Sequence, residues 1–194
     1  MLTHTLDQRT AGHSPLLVLS DPLQSHRQSA CSDLLDTDQG GSVLVFAYNR
    51  RPRVVVDSVT EHGDPDTLTI LSLAERDAER PDGDGFGPNV TVDRRSASNL
   101  TGIGVDVSRA LKAHDDETEL SVCLGSLTTL LQYVDTQVAF KFLHVTLGRL
   151  DAADGTVHAH LDPDAVDEET VATLATQFDS VLERSGGGWT VRST

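Results

Sequence analysis

The chain has 194 residues, with 30 acidic side chains against 15 basic ones and a formal net charge of −15. A chain of this length is predicted to fold as one ordinary domain, and no apolar run approaches the roughly 20 residues of a membrane-spanning helix. The charge argues against nucleic-acid binding, because phosphate contacts require a basic stripe and the sequence shows none. No basic segment followed by an apolar one opens the chain, so we expect no secretory signal and a cytoplasmic protein.

The basic residues are almost all arginines, since only Lys112 and Lys141 are lysines. An acidic, lysine-poor surface is typical of proteins in concentrated salt, where charges are screened over roughly 3 Å at 1 M and crowded carboxylates are tolerated. We therefore expect a halophilic archaeal source and an acidic, solvated surface. Cys31 and Cys123 lie in apolar segments without a CxxC pair, so they are predicted to be buried free thiols.

Residues 1–13 show no periodicity and are predicted to be a flexible leader, followed by a single domain over residues 14–194. Apolar runs bounded by turn residues predict strands that are buried on both faces, as in a parallel sheet. The predicted strands are Ser14–Ser20, Ser42–Tyr48, Thr67–Leu73, Asn89–Asp93, Glu119–Leu124 and Thr156–Leu161, with Trp189–Arg192 as a final, antiparallel strand at a sheet edge.

Helical spacing of apolar residues predicts most of the connections. The predicted helices are Ser25–Leu35, Arg53–Glu61, Ile103–Ala113, Thr136–Leu150 and Asp167–Arg184, and Glu75–Pro88 is a predicted polar loop. Arg53–Glu61 is valine-rich, but two parallel strands need a crossover, which is usually helical. Asp167–Arg184 is the best-specified helix, with Asp167 as its N-cap. The spacing of Asp106 and Arg109 is interpreted as helix surface. Strands alternating with helices predict a three-layer α/β fold, with a mostly parallel sheet and helices on both faces.

The first turn after a strand, Ser20–Arg27, is where an open parallel sheet would bind a ligand. A phosphate loop needs glycines and a lysine, and this turn has neither. Asp21 places a negative charge where a triphosphate would lie. Asp21, Gln24 and Arg27 are assigned, together with Gly125 and Ser126, to a degenerate nucleotide site. Arg27 could meet a phosphate but is interpreted as solvated. ATP hydrolysis at this turn is therefore not predicted.

The strand Glu119–Leu124 is followed by Gly125 and Ser126. In P-loop ATPases of the RecA/KaiC kind, the corresponding strand ends in Asp-Ser, and that aspartate holds the magnesium shell, which glycine cannot do. Ser126 also lacks the second glycine of a nucleophile elbow. We predict no catalytic residue and no cofactor.

One further group, His158, His160 and Asp162, is spaced at i, i+2 and i+4 on a predicted strand and therefore points to one face. Two imidazoles and a carboxylate could ligate a divalent metal. The preferred alternative is that this face packs under a helix, or that the imidazoles reach solvent at the strand end. No metal is predicted.

Several stretches in a fixed order carry a family resemblance that runs from about Ser14 to Glu183. They are Asn99–Ser108, Leu124–Asp135, Phe142–Arg149, His160–Pro163 and Asp167–Leu174. Together they resemble a haloarchaeal family of uncharacterised proteins with a RecA/KaiC-like core and a degenerate or missing P-loop. The resemblance implies a RecA-like fold and a pseudo-ATPase, with no catalytic residue to transfer. Family members typically have an aspartate, in CLDSLT, at the position of Gly125, so this chain departs from them there.

Three functions remain open from the sequence. The favoured one is a catalytically inactive interaction or regulatory domain that binds a protein partner or itself. The second is a nucleotide-binding protein or weak ATPase that recruits phosphate through a non-standard loop such as Gly83–Gly87. The third is a metal-dependent enzyme built on the two histidines and Asp162.

Overall fold

The computed structural model describes residues 14–20, 34–35, 40–75, 86–115, 117–185 and 188–194. Within these residues the strands are β1 Leu16–Leu19, β2 Ser42–Tyr48, β3 Thr67–Ala74, β4 Val90–Ser96, β5 Leu120–Ser126, β6 Thr156–Leu161, β7 Ser180–Ser185 and β8 Gly188–Ser193. The helices are α1 Pro52–Thr60, α2 Leu100–Ala113, α3 Leu127–Leu130, α4 Thr136–Asp151 and α5 Glu168–Ala175.

The strands form a single sheet in the order β4-β3-β2-β5-β6-β1-β7-β8. All pairs are parallel except β7 with the edge strand β8, which is antiparallel. Every residue of β1 and β2 is buried, as continuous apolar runs covered on both faces should be. The predicted three-layer α/β fold is confirmed.

Apolar cores lie on both faces of the sheet. One face, the helix-rich face, packs against α2, α4 and α5 through a large cluster that includes Phe46, Leu124 and Leu143. The other, the α1 face, packs Val55 and Val59 of α1 against β2 and β3. Because strand side chains alternate between faces, each buried strand supplies both cores.

Most predicted elements are confirmed, with shifts at their ends. The helix assigned to Arg53–Glu61 exists as α1, because Pro52 at its first turn presets the backbone and the valines at i and i+4 fall on one buried face. Helix α2 begins three residues earlier than predicted, since the Asn99 side chain accepts a hydrogen bond from the Gly102 N–H at 2.9 Å. The predictions for residues 1–13 and most of Ser25–Leu35 and Glu75–Pro88 lie outside the described residues.

The predicted helix Asp167–Arg184 is wrong over its second half. Helix α5 ends at Ala175, and β7 follows after a short turn. Strand β7 pairs in parallel with β1, and the Asp179 N–H donates to the Pro15 carbonyl at 3.0 Å where that pairing starts. Val181 packs in the core of the helix-rich face, and Leu182 packs in a smaller cluster on the opposite face of the sheet. The side chains of β7 therefore alternate with a period of two, which the predicted helical spacing obscured. Pairing with β1 overrides the local pattern.

The N-cap of α5 gives a pH-dependent prediction. Hydrogen bonds from the backbone and hydroxyl of Thr170 lower the pKa of Asp167, so the folded state favours the carboxylate. The resulting stability is present above the unfolded pKa and is lost as the pH falls through the folded one. Asp167→Asn keeps a capping oxygen without the charge. We expect it to melt below the wild type at neutral pH, with a difference that shrinks towards acid pH in a melting series.

Candidate functional site

The carboxyl end of β5 carries Gly125 and Ser126, two of the positions that sequence reasoning assigned to a degenerate nucleotide site. Gly125 has φ +65°, a left-handed backbone conformation, and sits where the β5–β6 register breaks. Cys123 is opposite His158, but the next pair is Ser126 with His160, so β5 has an additional residue here and bulges. The other predicted positions, Asp21, Gln24 and Arg27, lie outside the described residues.

The bulge explains why a glycine is needed. A Cβ atom at Gly125 would overlap the Phe46 carbonyl oxygen of the neighbouring strand and lie 3.3 Å from the Tyr48 ring. Burial also raises the pKa of the Tyr48 phenol above its ordinary value, so this wall of the strand tip stays uncharged. Position 125 therefore has no carboxylate, as the sequence already indicates, and its backbone conformation also disfavours any residue with a side chain.

Polar groups at the strand tips bind one another. The Ser126 hydroxyl accepts from the Thr129 N–H at 3.2 Å and caps α3. The Asp162 N–H donates to the Thr128 hydroxyl at 2.8 Å, and the Asp162 carboxylate accepts from the Asp164 N–H at 3.0 Å. These groups serve caps and turns. The arrangement holds the strand ends in place rather than presenting a nucleophile or a magnesium ligand.

The predicted group His158, His160 and Asp162 is only partly brought together. Both histidines are buried on the α1 face, whereas Asp162 lies past the end of β6 in a turn. Cys123 takes its place: one ligand atom from each of Cys123, His158 and His160 lies within 4.8 Å of the others. Sequence reasoning missed the cysteine because the pairing of β5 with β6 is not local. The available signal was that Cys123 alternates with Val122 and Leu124 along the strand, which places it on the other face of the sheet.

Sequence reasoning also missed a groove between α2 and α4. It has a volume of about 740 Å³. Its described lining comprises Leu100, Thr101, Gly104, Val105, Ser108, Arg109, Lys112, Val138, Lys141, Phe142, Val145, Thr146 and Arg149. Val105 and Val145 are 54% and 53% exposed, and Val138 is 39% exposed. None of these lining residues is acidic, in a chain with a net charge of −15.

Four basic side chains line this α2–α4 groove, and two of them form bonds within the fold. Arg149 on α4 donates to the Gly104 carbonyl at 3.1 Å and to the Ser108 hydroxyl at 3.0 Å, which ties the helices together. Arg109 pairs with carboxylates on the sheet side. The remaining two are Lys112 and Lys141, and no carboxylate in the described ranges forms an ion pair with either. The two lysines of the sequence therefore lie beside exposed valines at one groove.

The layers and the sheet order define a RecA-like α/β protein. The chain belongs to DUF7504, a family of unknown function whose model matches residues 14–184. No curated protein matches the chain. Among the described residues, no helix is long and apolar enough to cross a membrane.

Solved structures that share the fold include the following three. The first is PH0250 from Pyrococcus horikoshii OT3, with 9% identity and a TM-score of 0.62. The match covers 99% of this chain and 92% of that one. The uncharacterized protein PH0321 from Pyrococcus horikoshii, in complex with an unknown peptide, has 14% identity and a TM-score of 0.62, covering 97% and 86%. The flagellar accessory protein FlaH from Methanocaldococcus jannaschii has 11% identity and a TM-score of 0.52, covering 96% and 81%. At these identities the similarity extends to the fold alone.

Proposed function

We propose that residues 14–194 form a catalytically inactive RecA/KaiC-like domain that acts as a regulatory or protein-interaction module in the cytoplasm of a haloarchaeon. Its α2–α4 groove takes an acidic segment of a partner protein that presents apolar side chains. One observation carries this proposal: three exposed valines and both lysines of an otherwise acidic chain converge on the same groove.

The physical basis is a match of surfaces under high salt. Screening over roughly 3 Å at 1 M leaves only charges in direct contact to interact. Affinity must then come mainly from apolar burial on the valines, with Lys112 and Lys141 selecting carboxylates at the rim. An acidic helix with apolar residues at i, i+3 and i+4 offers both features. A peptide bound to PH0321 supports a protein ligand for this fold.

The residues at the predicted nucleotide site disfavour catalysis. Gly125 has neither a carboxylate nor room for one, and the sequence from Ser20 to Arg27 contains no glycine or lysine to bind a phosphate. The inactive assignment is tested by thermal shift with ATP–Mg in multimolar KCl, where no increase in melting temperature is expected. A reproducible increase would instead favour the alternative of a nucleotide-binding protein or weak ATPase.

The interaction itself predicts a selective loss of binding. Peptides selected from a displayed random library in concentrated KCl should be enriched in acidic residues with apolar residues at helical spacing. We expect Val145→Asp to weaken their binding by about tenfold or more, because it places a charge on the apolar floor. Lys141→Glu should weaken it too and shift selection away from acidic peptides.

Val54→Asp is the matched control, since Val54 is 44% exposed but lies on α1, on the opposite face of the sheet. It should bind the selected peptides like the wild type. Equal losses in Val54→Asp and Val145→Asp would contradict a role for the groove. If a second copy of the chain is the occupant, sedimentation should show a concentration-dependent dimer that Val145→Asp dissociates.

A further inference from the structure

The centre of the sheet holds three metal-ligating side chains on adjacent strands. Cys123 of β5 is directly opposite His158 of β6, and His160 follows two residues later. Paired and alternate positions point to the same side of a sheet, so all three side chains reach the α1 face. The thiol sulfur and one ring nitrogen from each histidine lie within 4.8 Å of one another.

The spacing is close to that of a coordinated ion. With Zn–S near 2.3 Å and Zn–N near 2.0 Å, ligand atoms of one zinc lie roughly 3.3 to 3.8 Å apart. Rotations of the side chains that close about 1 Å would bring the three donors to these distances. The strands themselves would keep their present register.

Burial adds an independent observation. Cys123, His158 and His160 are 1%, 2% and 3% exposed, and Nε2 of His158 has no hydrogen-bond partner among the described residues. A buried polar atom without a partner destabilises the folded state. The two rings meet edge to face, with centroids 5.2 Å apart. Coordination would satisfy Nε2 of His158.

The donor set selects the class of ion. One thiolate and two imidazoles suit a borderline-soft cation such as Zn²⁺, with a water molecule in its fourth tetrahedral position. Mg²⁺ and Ca²⁺ prefer oxygen ligands, and the group contains none, because Asp162 lies past the end of the strand in a turn. The apolar surroundings, Val45 and Leu16 among them, fit a structural ion rather than one exposed to substrate.

We propose that Cys123, His158 and His160 bind a structural Zn²⁺ ion that joins β5 to β6 in the middle of the sheet. Binding deprotonates the thiol and releases its proton to solvent, while both imidazoles coordinate in their neutral form. Because these residues form a preorganised site in the folded state alone, the ion stabilises the fold.

The test uses untagged protein in concentrated KCl, stripped of metal and titrated with Zn²⁺ or Co²⁺. We expect one equivalent of Zn²⁺ to bind and to raise the melting temperature, whereas Mg²⁺ does neither. Co²⁺ should give a thiolate-to-cobalt charge-transfer band. Cys123→Val, which nearly conserves core volume, should abolish the band, and His158→Asn should weaken Zn²⁺ binding by roughly 100-fold or more.

Two controls separate this site from other donors in the chain. Asp162→Asn removes the carboxylate that sequence spacing groups with the histidines, and Cys31→Ser removes the other thiol; both should keep the cobalt band and the Zn²⁺ shift. Absence of Zn²⁺ binding by the wild type would overturn the proposal. So would equal Zn²⁺ uptake by Cys123→Val, or a cobalt band that Cys31→Ser abolishes and Cys123→Val retains. Circular dichroism of each variant confirms that it is folded.

Discussion

Gly125→Asp is expected to lower the free energy of unfolding by about 3 to 5 kcal/mol and to leave ATP–Mg binding absent. The substitution would recreate the Asp-Ser pair that ends the corresponding strand in RecA/KaiC-like ATPases. In this chain the backbone at that position has φ +65°, which costs an L-residue about 1 to 2 kcal/mol. The new Cβ would also overlap the Phe46 carbonyl oxygen, so β5 must move away from β2.

Gly125→Ala should show nearly the same loss, because the backbone and the Cβ atom cause it rather than the charge. Gly148→Ala is the matched control: Gly148 lies in α4, and a methyl group added there would meet no atom within 4 Å. It should stabilise the protein by about 0.5 to 1 kcal/mol, since alanine favours a helix. Chemical denaturation measures all three variants. The bulge would not be required if Gly125→Asp were as stable as the wild type and ATP–Mg raised its melting temperature.

Asp106→Ala is expected to lower the free energy of unfolding by about 2 to 4 kcal/mol. Asp106 is fully buried at the inner side of α2. Its carboxylate accepts from Nη2 of Arg95 at 2.9 Å and lies 2.7 Å from Nε of the same guanidinium. Nη1 of Arg109 is 3.2 Å away. Removing the carboxylate leaves two guanidinium groups without their common counterion and loosens α2 from β4.

Asp57→Ala is the control for this second prediction. Asp57 pairs with Arg53 one turn away on α1, at 3.5 Å, with both side chains about 60% or more exposed. An exposed pair of this kind is worth at most about 0.5 kcal/mol. Urea or guanidinium midpoints of the two variants should therefore differ clearly. If the Asp106→Ala variant were no less stable than the Asp57→Ala variant, the buried Asp106 carboxylate would not anchor α2.

The burial of Asp106 also corrects its interpretation as helix surface, whereas Arg109 is 55% exposed, as that interpretation expects. Spacing along α2 shows which residues share a helix face, but it does not show where the sheet will lie. Arg95 is on β4, eleven residues earlier, and only the docking of α2 on that strand brings its guanidinium to the carboxylate. Charge burial is a property of the packed elements, so a helical pattern alone could not reveal it.

Local patterns in the sequence were sufficient for the fold class. Continuous apolar runs such as Ser42–Tyr48 require cover on both faces, and helices between them provide it, so a parallel sheet in three layers follows. The missing phosphate-loop residues and the glycine at position 125 could also be read directly. These features depend on residue type and on periods of two or 3.6 residues, which short stretches display by themselves.

The remaining features depend on contacts between distant parts of the chain. Pairing with β1 makes Ser180–Ser185 a strand although its apolar spacing continues a helix. Pairing of β5 with β6 brings Cys123 beside the histidines and creates the bulge that requires Gly125. Packing of α2 against α4 places both lysines beside exposed valines. The sequence by itself determined the layers and the absence of standard ATPase residues. Tertiary structure alone decided which side chains meet, because strand pairing and helix docking join residues that no local period relates.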